Sequence, residues 1–235
     1  MSTKYSFEAP IPHLQDFEDL QDFHFTLCHL YSNPEYLLFY RRQRVKGEKT
    51  IWLDNSYNEL LEATSLSNMV HVSMQVDPDK VISPDSPKWD TVRMIDSYMQ
   101  ARKVFSRDTL TVVVRSTEMK QAFEAVGANH FCTSYWVRPD LTHDTLRKLS
   151  PFHMLGLISP QEIITLQPPT CDTSMPIKIA LKGWTLQEWG AKGCPHIYTH
   201  ELGTAGGDYF TTKMTRDQID LARMNIRRLK EVTQW

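Results

Sequence analysis

The chain has 235 residues, of which 41% are hydrophobic and 23% charged, with a formal net charge of −2. That balance is globular and can bury one large core, as one α/β barrel or as two small domains. Nothing in the net charge draws it toward nucleic acid, and no apolar run approaches the roughly 20 residues of a membrane span.

Residues 1–22 are polar, acidic and interrupted by Pro10 and Pro12, and are expected to form an irregular lead-in rather than a signal peptide. Phe23 to Leu30 reads as a strand. Asn33 then caps a helix with Pro34 at its first position, and the helix turns basic at Arg41, Arg42, Arg44 and Lys46 before Gly47 stops it. Thr50 to Leu53 is a short buried strand that delivers Asp54. Ser56 to Ala63 looks helical. Ser65 can cap a second helix to Val76, although Val70, Val72 and Val76 keep a strand open there. Lys80 to Ser83 is a third strand, delivering Asp85 between Pro84 and Pro87. Trp89 to Phe105 is helical, with Val92, Ile95, Met99 and Val104 expected on its inner face.

Thr109 to Val114 is the clearest strand and ends at Arg115. Ser116 caps a helix from Thr117 to Val126, which Gly127 terminates. Asn129 to Ser134 and Phe152 to Leu155 are further strands, with a short helix, Thr142 to Leu149, between them. Ser159-Pro160-Gln161-Glu162 opens another helix with a capping-box spacing. In Cys171-Asp172-Thr173-Ser174-Met175-Pro176 the acid is read as leaving the end of a strand. Residues 182–212, rich in Gly, Trp and His, take no assigned element, and a helix from Thr215 to Val232 closes the chain. Cys28, Cys132, Cys171 and Cys194 are scattered singly. All but Cys194 sit in or beside apolar runs, as reduced thiols of a cytoplasmic protein do.

About seven strand–helix alternations with short connections argue for a parallel α/β fold. The length and the near-eight count favour one TIM-like (β/α)8 barrel over residues 1–235, with the missing strand placed in 182–212. In such a barrel the strand ends share one rim, so Asp54, Asp85, Arg115 and Asp172 would converge on one pocket.

Taken in order, four segments resemble tRNA-guanine transglycosylases: Leu53-Asp54-Asn55-Ser56, Ile82-Ser83-Pro84-Asp85, Phe152 to Pro160, and Cys171 to Pro176. The family's Gly-Gly after the first aspartate is replaced by Tyr57-Asn58, and its zinc module is absent. Those departures look like the reduced, phage-type branch that inserts 7-deazaguanines into DNA. The resemblance implies base exchange at guanine sites of DNA, with a free 7-deazaguanine base as second substrate and no cofactor.

By that resemblance Asp172 is the nucleophile that forms an aspartyl–sugar intermediate, and Asp54 the acid/base. Asp85 would read the amidine edge of the base. Arg115 would contact its carbonyl, and Ser56, Tyr57, Met154 and Leu155 would line its pocket. The basic residues of the first and last helices are candidates to hold the nucleic acid. Other readings stand beside these. Asp54 and Asp172 can be helix caps or turn acids, and Arg115 an ion-pair partner. Cys194, His196 and His200 have metal-ligand spacing. The barrel could instead act on tRNA or a nucleoside, or bind without catalysis.

Overall fold

The structure, a computed structural model, describes residues 3–133, 152–155, 171–177 and 209–233. Eight strands form one sheet: β1 (Lys4–Glu8), β2 (His24–Leu27), β3 (Ile51–Asp54), β4 (Lys80–Ile82), β5 (Leu110–Val113), β6 (Phe131–Thr133), β7 (Phe152–Met154) and β8 (Cys171–Pro176). Their order is β1-β8-β7-β6-β5-β4-β3-β2, and every hydrogen-bonded neighbour is parallel. The expected α/β barrel architecture is present.

The eighth strand lies elsewhere than expected. It is β1, inside the segment read as an irregular lead-in, and it pairs with β8 from Lys4↔Asp172 to Glu8↔Pro176. Tyr5 and Phe7 alternate with Ser6 and Glu8, and both rings are buried.

β1 and β2 stand at the two ends of the strand order and are joined largely through side chains. Asp22 N–H donates to the Tyr5 carbonyl at 2.8 Å, and Tyr5 N–H donates back to Asp22 Oδ2 at 2.8 Å. The buried Gln21 amide stands in for a further rung. Its Oε1 accepts from Phe7 N–H at 3.0 Å, and its Nε2 donates to the Phe7 carbonyl at 3.1 Å. Ser6 Oγ donates to Gln21 Oε1 and accepts from Phe25 N–H, both at 2.8 Å. Buried backbone groups that lack a ladder partner are thereby satisfied.

The helices follow their sequence signals closely at their starts. In α1 (Pro34–Lys46) the Asn33 side chain accepts from the N–H groups of Glu35 and Tyr36, and Gly47 ends the helix in the left-handed region at φ 65°. Ser65 caps α3 (Leu66–Val76), so the strand alternative there is excluded. Asp90 caps α4 (Thr91–Ala101), and Ser116 caps α5 (Thr117–Ala125). Thr215 and Gln218 form a capping box on α6 (Arg216–Val232). α2 (Tyr57–Leu60) is a single turn held between Ser56 and Leu61, both left-handed at φ 62° and 58°.

The inner face of α4 differs from expectation. Met94, Tyr98 and Ala101 are buried, while Val92 and Met99 are 68% and 45% exposed. Tyr98 meets Phe123 of α5 edge to face at 5.7 Å, and this aromatic contact sets the helix's rotation.

Inside the barrel, aromatic rings from opposite walls meet. His153 of β7 stacks on Phe25 of β2 at 5.6 Å and lies 4.6 Å from the ring of Trp52 on β3. Phe23 closes the cluster, 5.5 Å from His153.

Most of the basic residues expected to hold nucleic acid are engaged with acids of the chain. Arg44 bonds Asp77 and Asp79, and Lys46 bonds Glu18. Arg223 bonds Asp19 and Lys230 bonds Asp22, tying α6 to the segment before β2. Among the described residues no helix is long and apolar enough to cross a membrane.

Candidate active site

Because all strands are parallel, their C-terminal ends make one rim, the end at which barrels of this kind carry their sites. Asp54 is the last residue of β3, and Asp85 lies three residues past β4, so both stand at this rim. Each is only 7% exposed.

Asn55 links the two segments. Its Nδ2 donates to Asp85 Oδ1 at 2.7 Å and to the Ser83 carbonyl at 3.0 Å. Its Oδ1 accepts from Tyr57 N–H at 2.9 Å, and its carbonyl accepts from the Thr64 hydroxyl at 2.5 Å. Asp54 Oδ2 accepts from Ser56 N–H at 2.8 Å, an arrangement made by the left-handed turn at Ser56. Ser56 Oγ accepts from His29 N–H at 3.2 Å, which docks the end of β2 on the same turn.

The electrostatics are those of carboxyls removed from water. Burial, with the neighbouring charges of Glu59 and Asp85, raises the Asp54 pKa well above its ordinary value. Burial pushes Asp85 up to about 6, against the opposing pull of the Asn55 hydrogen bond and the Arg115 charge. Glu59, on α2, is pushed up to about 7 by burial. It is a third acid that the sequence reading missed. Its local setting, the middle of a one-turn helix, gives no signal of burial, and only the fold of the β3–α3 segment encloses it.

Two cysteines border the site without reactivity of their own. Burial, and then the Asp54 charge, push Cys28 up to about 12. Burial raises Cys132 too, with Asp85 and Asp54 adding to it.

Asp172 is not part of this rim. It is the second residue of β8, paired with Lys4 at the start of β1, whereas Asp54 ends β3. Burial raises its pKa, with Lys4 opposing and Asp22 reinforcing, and both of these residues lie at the N-terminal end of the barrel. The strand begins at Cys171 rather than ending there, so the acid enters β8 instead of leaving it. Asp172 is in register with His153 of the aromatic cluster, near the start of its strand, and does not stand at the rim that carries Asp54.

Arg115 has a different task from the one expected. Its guanidinium donates to the carbonyls of Ser86, Pro87 and Trp89. It pins the loop that carries Asp85 and lends that acid a nearby positive charge; burial lowers the Arg115 pKa, with the Asp85 charge opposing.

Tyr57 is half-buried and lines a cleft beside the site. Leu155 follows β7 at the C-terminal rim and is buried, and its N–H donates to the Thr133 carbonyl at 2.8 Å. Met154 is placed on β7 by its backbone. Cys194, His196 and His200, the Thr142–Leu149 and Ser159–Glu162 helix starts, and most of 182–212 lie outside the described residues. Among the described residues no cluster of three His, Cys, Asp or Glu side chains could hold a metal.

No protein-family model and no curated protein matches the sequence. Solved structures do. A 3-keto-L-gulonate-6-phosphate decarboxylase from Vibrio cholerae is 11% identical, with 97% of this chain and 99% of that one covered and a TM-score of 0.52. A mutant tryptophan synthase α-subunit from Pyrococcus furiosus is 9% identical over 97% and 99% of the two chains, with a TM-score of 0.55. A dihydrodipicolinate synthetase-like protein from Pseudomonas aeruginosa is 12% identical over 99% and 82%, with a TM-score of 0.52.

At these identities the likeness establishes the barrel fold alone. It overturns the resemblance to tRNA-guanine transglycosylases, because the similar barrels are of the decarboxylase, synthase and synthetase kinds. With the resemblance go the phage-type branch, the exchange of guanine for a 7-deazaguanine in DNA, and its tRNA, nucleoside and non-catalytic alternatives. Asp172 stands at the start of β8 rather than at its end, where the resemblance would place a nucleophile.

Proposed function

We propose that the chain is a barrel enzyme that moves protons on a small carbonyl compound, with Asp54 and Asp85 as its acid–base pair. The observation that carries this reading is the Asp54–Asn55–Asp85 arrangement. Two buried carboxyls sit at the C-terminal rim, Asp85 held by the side chain of the residue that follows Asp54, and burial raises the pKa of both.

Asp54, whose pKa burial and the neighbouring acids raise well above the ordinary carboxylate value, is the acid of the pair. Its Oδ2 is occupied by Ser56 N–H, which leaves Oδ1 to donate to a carbonyl oxygen. Asp85, with a pKa of about 6, is mostly ionised at pH 7. Its Oδ1 is held by Asn55, which leaves Oδ2 as the base. In the forward step Asp85 takes a proton from the carbon next to the carbonyl, the electron pair moves into the new carbon–carbon double bond, and the Asp54 proton passes to the carbonyl oxygen. The enol so formed returns by the reverse transfers. Such general acid–base help is worth about 10²–10⁴-fold. Decarboxylase and synthetase activities are named for two of the similar barrels, an analogy of chemistry rather than of substrate.

The test is solvent exchange. A panel of small keto acids and hydroxy-ketones is incubated with the protein in D₂O at pH 7, and deuterium uptake is read by mass spectrometry. At least one member should exchange, with the rate lowered about 100-fold or more in Asp85→Asn. A panel that exchanges no faster than in buffer, or equally in both proteins, sinks the proposal.

A further inference from the structure

Beside the carboxyl pair an open cleft of about 440 Å³ separates the Tyr57–Leu66 segment from the stretch Pro84–Gln100. That volume suits a single small ligand. Its walls are largely apolar, made by Tyr57, Leu61, Leu66, Pro84 and Trp89. Its charged groups are unequal in sign, with Lys88 and Arg93 against Glu62 alone. Neither cation has an ion-pair partner among the described residues, unlike Arg44, Lys46, Arg223 and Lys230 elsewhere on the surface. Arg93 is already oriented: its guanidinium lies 4.6 Å from the centre of the Trp89 ring. A side chain held in this way loses less freedom when it binds an anion.

The cleft also touches the site mechanically. Pro84 and Ser86, on its wall, flank Asp85 in the chain, and Thr64 donates to the carbonyl of Asn55, whose amide holds Asp85. The carboxyls themselves do not line the cleft, but residues next to Asp85 in the chain and a hydrogen-bond partner of Asn55 do.

We propose that this cleft binds the non-reacting end of the substrate, an apolar ring carrying a carboxylate or phosphate. Lys88 and Arg93 meet the anion, and Tyr57, Leu61 and Leu66 meet the ring. That the occupant is the substrate rests on the acid–base reading of Asp54 and Asp85; the binding itself does not. Such a ligand uses both properties of the cleft, whereas a bare anion or a neutral ring uses one.

Phenyl phosphate is the probe, titrated calorimetrically into the full chain beside phenol and inorganic phosphate. Phenyl phosphate should bind at least about ten-fold more tightly than either fragment. Lys88→Ala and Arg93→Ala should each weaken it by up to about 5-fold, the reach of an exposed ion pair, and the double variant should approach the affinity of phenol. Both side chains are exposed, so the variants should keep the wild-type melting temperature. Equal affinity for phenyl phosphate and inorganic phosphate, or a double variant that binds like wild type, overturns the cleft. If binding depends on Lys88 and Arg93 but no carbonyl compound exchanges deuterium, the cleft stands as a ligand site and the acid–base reading falls.

Discussion

Asp85→Asn is expected to make the protein more stable at neutral pH, and only there. The Asp85 carboxyl is buried and its pKa rises from 3.8 to about 6 on folding. Below pH 3.8 the group is protonated in both states and costs nothing. Between 3.8 and 6 the unfolded chain ionises while the folded one keeps its proton, so stability falls as pH rises. Across those roughly two pH units, at about 1.4 kcal/mol each, the penalty grows to about 3 kcal/mol and stays constant above pH 6. Asparagine fills the same volume and retains an oxygen to accept from Asn55 Nδ2. The Asn55 hydrogen bond and the Arg115 charge already oppose burial in setting the pKa of about 6, so neither is subtracted again. The expectation is a gain of up to about 3 kcal/mol at pH 7. At pH 4, where the charged form is absent from the folded state, the substitution should be neutral or slightly destabilising. Urea unfolding of both proteins at the two pH values measures this. A variant less stable than wild type at pH 7, or a difference independent of pH, refutes the reasoning that this carboxyl is held at a cost in stability.

Gln21→Leu should cost about 2–5 kcal/mol, because it strands Phe7 N–H and C=O in the β1–β2 seam; urea midpoints at unchanged slope would show it. Arg115→Ala should lower stability by about 2–3 kcal/mol as the Ser86, Pro87 and Trp89 carbonyls lose their donors, and should raise the Asp85 pKa further. Leu61→Gly should stabilise by up to about 1 kcal/mol, since Leu61 is 71% exposed and sits at φ 58°, where a Cβ is penalised; an unchanged or lower melting temperature would contradict it. Asp172→Asn, near the start of β8, should leave deuterium exchange within about two-fold of wild type under the conditions in which Asp85→Asn lowers it about 100-fold or more.

Local chemistry made much of this fold legible. Asn33-Pro34 and Gly47 bracket α1 because caps and left-handed glycines act within a turn of the helix end. Asp54 and Asp85 were visible as acids following short apolar runs, and both do stand at the rim. Failures came where the answer depends on distant partners. Lys4–Glu8 is only five residues long, and its alternation became a strand through β8, more than 160 residues away. Asp172 was assigned to the wrong end because a short run does not say whether an acid opens a strand or closes it; the register with Lys4 does. Arg115 looked like a ligand contact because its carbonyl partners lie on another loop. Val92 and Met99 matched a helical stripe, but Tyr98 packing on Phe123 won the inner face. Glu59 carried no signal at all, since burial of α2 is set by the turns at Ser56 and Leu61.

The most direct measurement is a carboxyl-carbon NMR titration of aspartate-labelled protein, wild type beside Asp85→Asn. A wild-type aspartate signal with a midpoint near 6, missing from the variant, together with a second one shifted well above the ordinary aspartate range, is the result expected of the Asp54–Asp85 pair. If every aspartate titrates below about 4.5, neither carboxyl is tuned for proton transfer and the proposed acid–base site is wrong.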